Sequence, residues 1–217
     1  IVYIATENKG VMRFDLTSDT LLSSWNSLGA DDLENAPIAA DGSTVWLGLD
    51  GFGVLVYDRL TGEITDHWMA RGNGGGGSAS SIPSNNVRAL HLDSNGGVII
   101  GTAQGMARWD GQNIVQFNTG RPIWSSHREF NSITSTTTDI WAATNVGACR
   151  FDYSYNLDEC FDSDDDLPSD YALEVDLIGV NTLYIGTYGG AAVFATNNDT
   201  VIDVWEAGEI TDQAAIV

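Results

Sequence analysis

Apolar residues in this chain come in short bursts of about four to eight, many alternating with polar ones, and nowhere do they hold a 3.6-residue period over three turns. That pattern predicts strands and turns without helices. The stretch from Pro83 to Gly111, PSNNVRALHLDSNGGVIIGTAQGMARWDG, shows the unit. NVRALHLD is apolar enough for a buried strand, DSNGG is a turn, VIIGT is a β-branched run, and Gly105 opens a third run, MARWD. The same order returns along the whole chain. A bulky apolar residue marks each second strand at Tyr3, Trp46, Ile99, Trp141 and Tyr184. A Gly opens each third strand at Gly10, Gly53, Gly105, Gly147 and Gly190, and an aromatic follows four residues later at Phe14, Tyr57, Trp109, Phe151 and Phe194. The interval is 42 or 43 residues, except one that carries about ten more.

Taken in order, the anchors predict strands at Val2–Thr6, Val11–Leu16 and Leu21–Asn26, then at Asn35–Ala40, Val45–Leu49, Val54–Asp58 and Ile64–Trp68. RGNGGGGSASS, residues 71–81, is too rich in Gly and Ser to order itself, and reads either as a natural loop or as an engineered linker. The third unit follows in phase and closes at Asn113–Phe117. A loop at 121–127 then leads to Phe130–Ser135, Ile140–Thr144, Ala148–Tyr153 and Leu157–Phe161. Tyr171–Leu177, Leu183–Thr187, Ala191–Ala195 and Val201–Trp205 make the fifth unit, and Ile210–Val217 is one more strand.

Tandem antiparallel units of about 40–45 residues are the signature of a β-propeller. The first unit lacks its inner strand and the tail supplies an extra one. The expectation is therefore a single all-β domain over 1–217, a five-bladed propeller of four-stranded blades closed by strand 210–217. Five blades cut from a larger ring are the alternative. The chain opens inside a strand, IVYIAT, which predicts that it belongs to a longer protein fused to further domains.

Charge narrows the partners. Asp and Glu number 30 against 9 Lys and Arg, a formal net charge of −21. Such a surface repels phosphate backbones and anionic headgroups, so nucleic acid is excluded as a partner. No apolar run is long enough for a membrane-spanning helix, so direct membrane insertion is not expected.

The repeat itself resembles the two-component regulator propeller family, whose blades read roughly LPxNxVxxIxxDxxGxLWIGTxxGLxRYD. Ile82–Val87 (IPSNNV), Asp93, Gly97, Ile99–Thr102 and Gly105–Asp110 match it closely. VWLGLDGFGVLVYD, IWAATNVGACRFD and LYIGTYGGAAVF match in part. The resemblance implies a module outside the membrane, extracellular, cell-surface or periplasmic, that senses or binds a ligand. That ligand is a small molecule, a glycan or a protein.

Candidate chemistry is sparse. The run DSDDDLPSD places carboxylates at Asp162, Asp164, Asp166 and Asp170, the 1, 3, 5, 9 spacing of an oxygen cage for calcium. It resembles the calcium loops of integrin-type propellers, although Leu167 stands where a turn Gly belongs; a solvated acidic loop is the other reading. Calcium is the one candidate cofactor, and none is required. Cys149 and Cys160 fall opposite each other if residues 154 and 155 form a tight turn, which allows a disulfide; two packed thiols are the alternative. No catalytic motif occurs. A ligand at one channel mouth would meet Trp124, His127 and Arg128 of the long loop and Arg88 and His91 of an inner strand. A propeller lyase or hydrolase would use His127, Arg128 and Asp139 there. A purely architectural unit of a surface protein is the third reading. The once-per-unit aromatics Trp25, Trp68, Phe117, Phe161 and Trp205 read as filling between sheets, and Asp15, Asp58, Asp110 and Asp152 as turn residues.

Overall fold

A computed structural model of the chain describes residues 1–6, 10–22, 24, 25, 33, 36–70, 81–117 and 129–207. The expected loop at 71–81, apart from Ser81, and the expected closing strand at 210–217 lie outside them. Two compact units divide the chain, Ile1–Leu92 with Gly96–Gln116, and Phe117–Val217 with Asp93–Asn95.

The first unit holds three antiparallel sheets in chain order. The first is β1 (Val2–Thr6), β2 (Gly10–Asp15) and the short β3 (Thr20–Leu21). The second is β4 (Ile38–Ala40), β5 (Thr44–Leu49), β6 (Gly53–Asp58) and β7 (Ile64–Trp68), and the third is β8 (Val87–Leu92), β9 (Val98–Thr102), β10 (Gly105–Trp109) and β11 (Ile114–Gln116). The second unit holds two more. β12 (Phe130–Ser135), β13 (Asp139–Thr144), β14 (Gly147–Asp152) and β15 (Leu157–Phe161) form the fourth sheet. β16 (Ala172–Ile178), β17 (Thr182–Thr187), β18 (Gly190–Ala195) and β19 (Thr200–Glu206) form the fifth. One 3₁₀ turn, Ser163–Asp165, is the only helical element among the described residues.

The middle strands explain why the sheets stack. Every residue of β9 is buried, and β5 and β13 are buried at all but their first residue. Alternate side chains point to opposite faces, so both faces must be covered. In the first unit Trp46, Val54, Val56 and Trp68 pack against Val98, Ile100 and Ala107. The opposite face of the same sheet, Val45, Leu47, Leu55 and Tyr57, packs against Val11 and Trp25. In the second unit Trp141, Ala143, Ala148 and Phe161 meet Leu183, Ile185, Ala192 and Phe194. Outer-strand aromatics fill these layers as expected, with one exception. Trp25, Trp68, Phe117 and Phe161 are buried, whereas Trp205 is 39% exposed.

The repeated Gly has a steric cause. Gly53, Gly147 and Gly190 all take positive φ. A Cβ at any of them would lie within about 2.1 Å of the carbonyl oxygen of Trp68, Phe161 or Trp205 on the next strand. The preceding Thr locks the same turn, because Thr102, Thr144 and Thr187 each donate a hydroxyl proton to the carbonyl of that Gly at 2.7–3.0 Å.

Five sheets are present, as the repeat predicts, but they are not closed. The first sheet has three strands, and among the described residues no strand pairs along the outer edge of β1. Within the fourth sheet, Cys149 and Cys160 pair directly across β14 and β15 and form a disulfide with Cα atoms 4.0 Å apart.

Two stability measurements follow. Trp141 is 1% exposed and ringed by Phe161 and Phe194, so Trp141→Ala is expected to cost about 3–5 kcal/mol in denaturant titration. Tyr184, at the matching position of the fifth sheet but 39% exposed, should cost well under half as much when changed to Ala. Equal losses would sink the stacking account. For the disulfide, non-reduced protein should weigh two hydrogens less than reduced protein. The double change Cys149→Ala, Cys160→Ala should lower stability by about 2–3 kcal/mol, given the short loop it closes. Free alkylation of both thiols in native, air-oxidised protein would exclude the bridge.

Candidate functional site

The second unit contains a cavity of about 490 Å³ built from turns. Its lining is the turn between β12 and β13 (Ser135 to Asp139), the turn between β16 and β17 (Gly179 to Asn181), Thr196 after β18, and Ser94. Trp141, Arg150 and Leu177 also line it. Equivalent turns of neighbouring sheets emerge at the same end of their strands, which is why one run of hydroxyl residues, STTTD, meets another turn here.

These groups are ordered by their own hydrogen bonds. Thr136 Oγ1 accepts from the amides of Thr138 and Asp139 at 3.1 and 2.9 Å. The Thr138 hydroxyl donates to Asp139 Oδ2 at 2.6 Å. The carbonyl of Thr136 accepts from the Tyr153 hydroxyl at 3.0 Å. Val180, 80% exposed, stands at the rim.

Arg150 brings a charge that is already neutralised. Its guanidinium lies over Trp141, 5.3 Å from the ring centroid, donates to Asp158 at 2.7 Å, and forms a two-point contact with Asp199 at 2.5 and 3.1 Å. Burial pulls its pKa down, and the hydrogen bonds with Asp199 and Asp158 more than offset that, so the net direction is up. Asp139 is the only carboxylate among the described lining residues, and no His or Cys accompanies it. The cavity therefore offers hydroxyl, amide and carbonyl groups over an apolar floor. It can hold an uncharged polar molecule, and it supplies no nucleophile with an adjacent base.

The residues singled out from sequence fall elsewhere. Trp124, His127 and Arg128 lie outside the described residues. Arg88 is exposed at a bulge of β8 between Val87 and Ala89, and His91 is half-buried opposite Ile99. Asp139 alone reaches the cavity. The acidic loop does not gather its carboxylates: among the described residues no group of three or more His, Cys, Asp or Glu could hold a metal. Asp162 Oδ1 caps the 3₁₀ turn by accepting from the Asp164 amide at 2.9 Å, and Asp170 accepts from the Ser163 amide at 3.0 Å. Leu167, at the place of the expected turn Gly, is buried in the core. The Thr-rich turn was visible in sequence only as a local excess of hydroxyls, without a cue to what it faced.

The turn carboxylates repeat one device. Asp58 Oδ1 accepts from the amides of Leu60 and Thr61 at 2.9 and 2.8 Å. Asp110 accepts from Gln112 and Asn113 at 2.8 and 2.7 Å, and Asp15 and Asp152 do likewise in their turns. The amide of Thr61 holds the Asp58 carboxyl below its ordinary value of 3.8, and that of Asn113 does so for Asp110.

No family model matches the chain, and no curated protein does. Solved structures share its fold. The extracellular domain of the hybrid two component system BT4673 from B. thetaiotaomicron matches at a TM-score of 0.69 and 18% identity, over 96% of this chain and 26% of that one. The extracellular domain of BT3049, from the same organism, matches at 0.65 and 17%, over 95% and 33%. PorZ, a surface component of the type-IX secretion system of Porphyromonas gingivalis, matches at 0.62 and 16%, over 92% and 36%. The chain thus spans little more than a third of any of the three. At these identities the likeness shows the fold, a propeller-like series of antiparallel sheets.

The lowered carboxyls set an acid limit. Because their folded pKa lies below the unfolded one, their contribution is present above about pH 4 and is lost as pH falls through the folded values. Melting temperature should be flat from pH 7 to about 5 and drop below 4. The pair Asp58→Asn, Asp110→Asn, which keeps an acceptor but removes the titration, should flatten that drop. An unaltered acid limb in the variant would refute the assignment.

Proposed function

We propose that this chain is a non-enzymatic binding or sensing module of a larger extracellular, cell-surface or periplasmic protein, and that the turn-lined cavity of the second unit takes its ligand. The observation that carries the reading is the cavity itself. Its volume, about 490 Å³, lies in the range of small-molecule sites, and its polar groups come from turns fixed by local hydrogen bonds. The single lining carboxylate and the neutralised Arg150 favour an uncharged polar ligand over an ion. The structural neighbours named above are extracellular domains and a surface component, which supports the location. Among the described residues no helix is long and apolar enough to cross a membrane.

A thermal-shift screen of uncharged polar small molecules tests this. A ligand at a hundredfold excess over Kd should add about 2.7 kcal/mol of stability. Thr137→Trp, which fills the cavity from an exposed turn, should abolish the shift while leaving the unliganded melt nearly unchanged. A shift that persists in the variant would move the site elsewhere, and no shift with any compound would count against a binding role for this cavity.

A further inference from the structure

The end sheets of the chain each leave one apolar face uncovered, and the repeat says what such faces are for. Register places Tyr184, Val193 and Asp203 in one row across the fifth sheet, and Gly186, Ala191 and Trp205 in the next. Tyr184 and Trp205 occupy the positions of Trp46 and Trp68 in the second sheet and of Trp141 and Phe161 in the fourth. Those four are 1–7% exposed because a following sheet covers them, yet Tyr184 and Trp205 are each 39% exposed. Their rings stack at 6.4 Å and 17° with nothing above them.

The first sheet shows the complementary deficit. Val2 pairs with Phe14 and Ile4 with Met12, as Val45 pairs with Tyr57 and Leu47 with Leu55 in the second sheet. The second-sheet residues are at most 1% exposed, whereas Val2, Ile4 and Leu21 are 40–57% exposed. This face carries no charged side chain. Even the acidic residue flanking the other face has a buried precedent: Asp66, which matches Asp203, accepts a hydrogen bond from Trp68 Nε1 at 2.9 Å beneath the third sheet.

We propose that the free face of the fifth sheet docks the free face of the first sheet from a second copy of this chain, head to tail. The contact repeats, between copies, the sheet-to-sheet layer already made inside each unit. It is heterologous: the two patches differ, so each dimer keeps one free face of each kind. Apolar burial drives it, and the net charge of −21 per copy opposes it. Association therefore strengthens as salt screens that repulsion.

Sedimentation velocity over a concentration series, at low and high salt, tests it on the whole chain. The wild type should associate, and more so at high salt. Two charge-neutral variants, Val2→Gln with Ile4→Gln and Tyr184→Gln with Trp205→Gln, should each be monomeric. Mixed in equal amounts, they should form a dimer that grows no further, because only one compatible pair of faces is left. Hydrogen exchange on the wild type provides a readout independent of variant folding: amides from Tyr184 to Trp205 should exchange more slowly as concentration rises. A wild type that stays monomeric with concentration-independent exchange overturns the proposal. So does association that survives in both variants, or a mixture that stays monomeric while each variant keeps its β-sheet spectrum.

Discussion

A strand apolar on both faces needs neighbours above and below its sheet, and β5, β9 and β13 are of that kind. Nearly everything else in the structure answers to this requirement. It sets a bulky aromatic on one face of the second strand, Trp46 or Trp141, against smaller residues such as Ile100, Ala107 or Ala192 on the next sheet. Close packing of large against small keeps the layers thin enough to repeat. It also explains the Gly at the head of each third strand: with the outer strand's carbonyl about 2.1 Å from where a Cβ would sit, only Gly lets the hairpin lie flush.

The strong acidity fits the same scheme. A chain with 30 acidic side chains cannot bury many of them, and the core takes up apolar residues and Thr instead. Many carboxylates serve the turns, where they accept backbone amides that the sheets leave unpaired. The few cations are placed where charge would otherwise accumulate. Arg150 gathers Asp158, Glu159 and Asp199 from two sheets of the second unit while its stem and guanidinium cover Trp141 and Phe161. One side chain thus seals an aromatic layer and offsets a local cluster of negative charge.

Much of the fold was legible because side-chain period and turn chemistry are local. Fixed spacing of Tyr3, Trp46, Ile99, Trp141 and Tyr184 located the second strand of every sheet, and the Gly and aromatic that follow located the third. What stayed hidden depends on juxtaposition. The bulges that leave Arg88, Asn131 and Leu173 out of register on inner strands have no sequence cue beyond an alternation that breaks. The cavity arises where STTTD meets Gly179–Asn181, two turns about forty residues apart and unremarkable singly. The spacing of Asp162, Asp164, Asp166 and Asp170 suggested a cation cage, but carboxylates two apart also suit a capped 3₁₀ turn. Leu167 in the core decides between the two geometries, because it turns the loop inward where a cage would need an open Gly turn.

Because the strands are consumed by packing, recognition has only two kinds of surface left. Turn ends offer hydroxyls and amides held by local hydrogen bonds, so they can meet a polar ligand without reorganising. The outermost sheet faces offer area without polar groups, which suits a flat apolar partner and nothing small. The surrounding negative charge sharpens this division. It disfavours anions at both surfaces, it leaves an uncharged molecule indifferent at the cavity, and it makes apolar docking depend on salt. A module so built separates ligand recognition from assembly: the first is local to a turn cluster, and the second belongs to whole sheets.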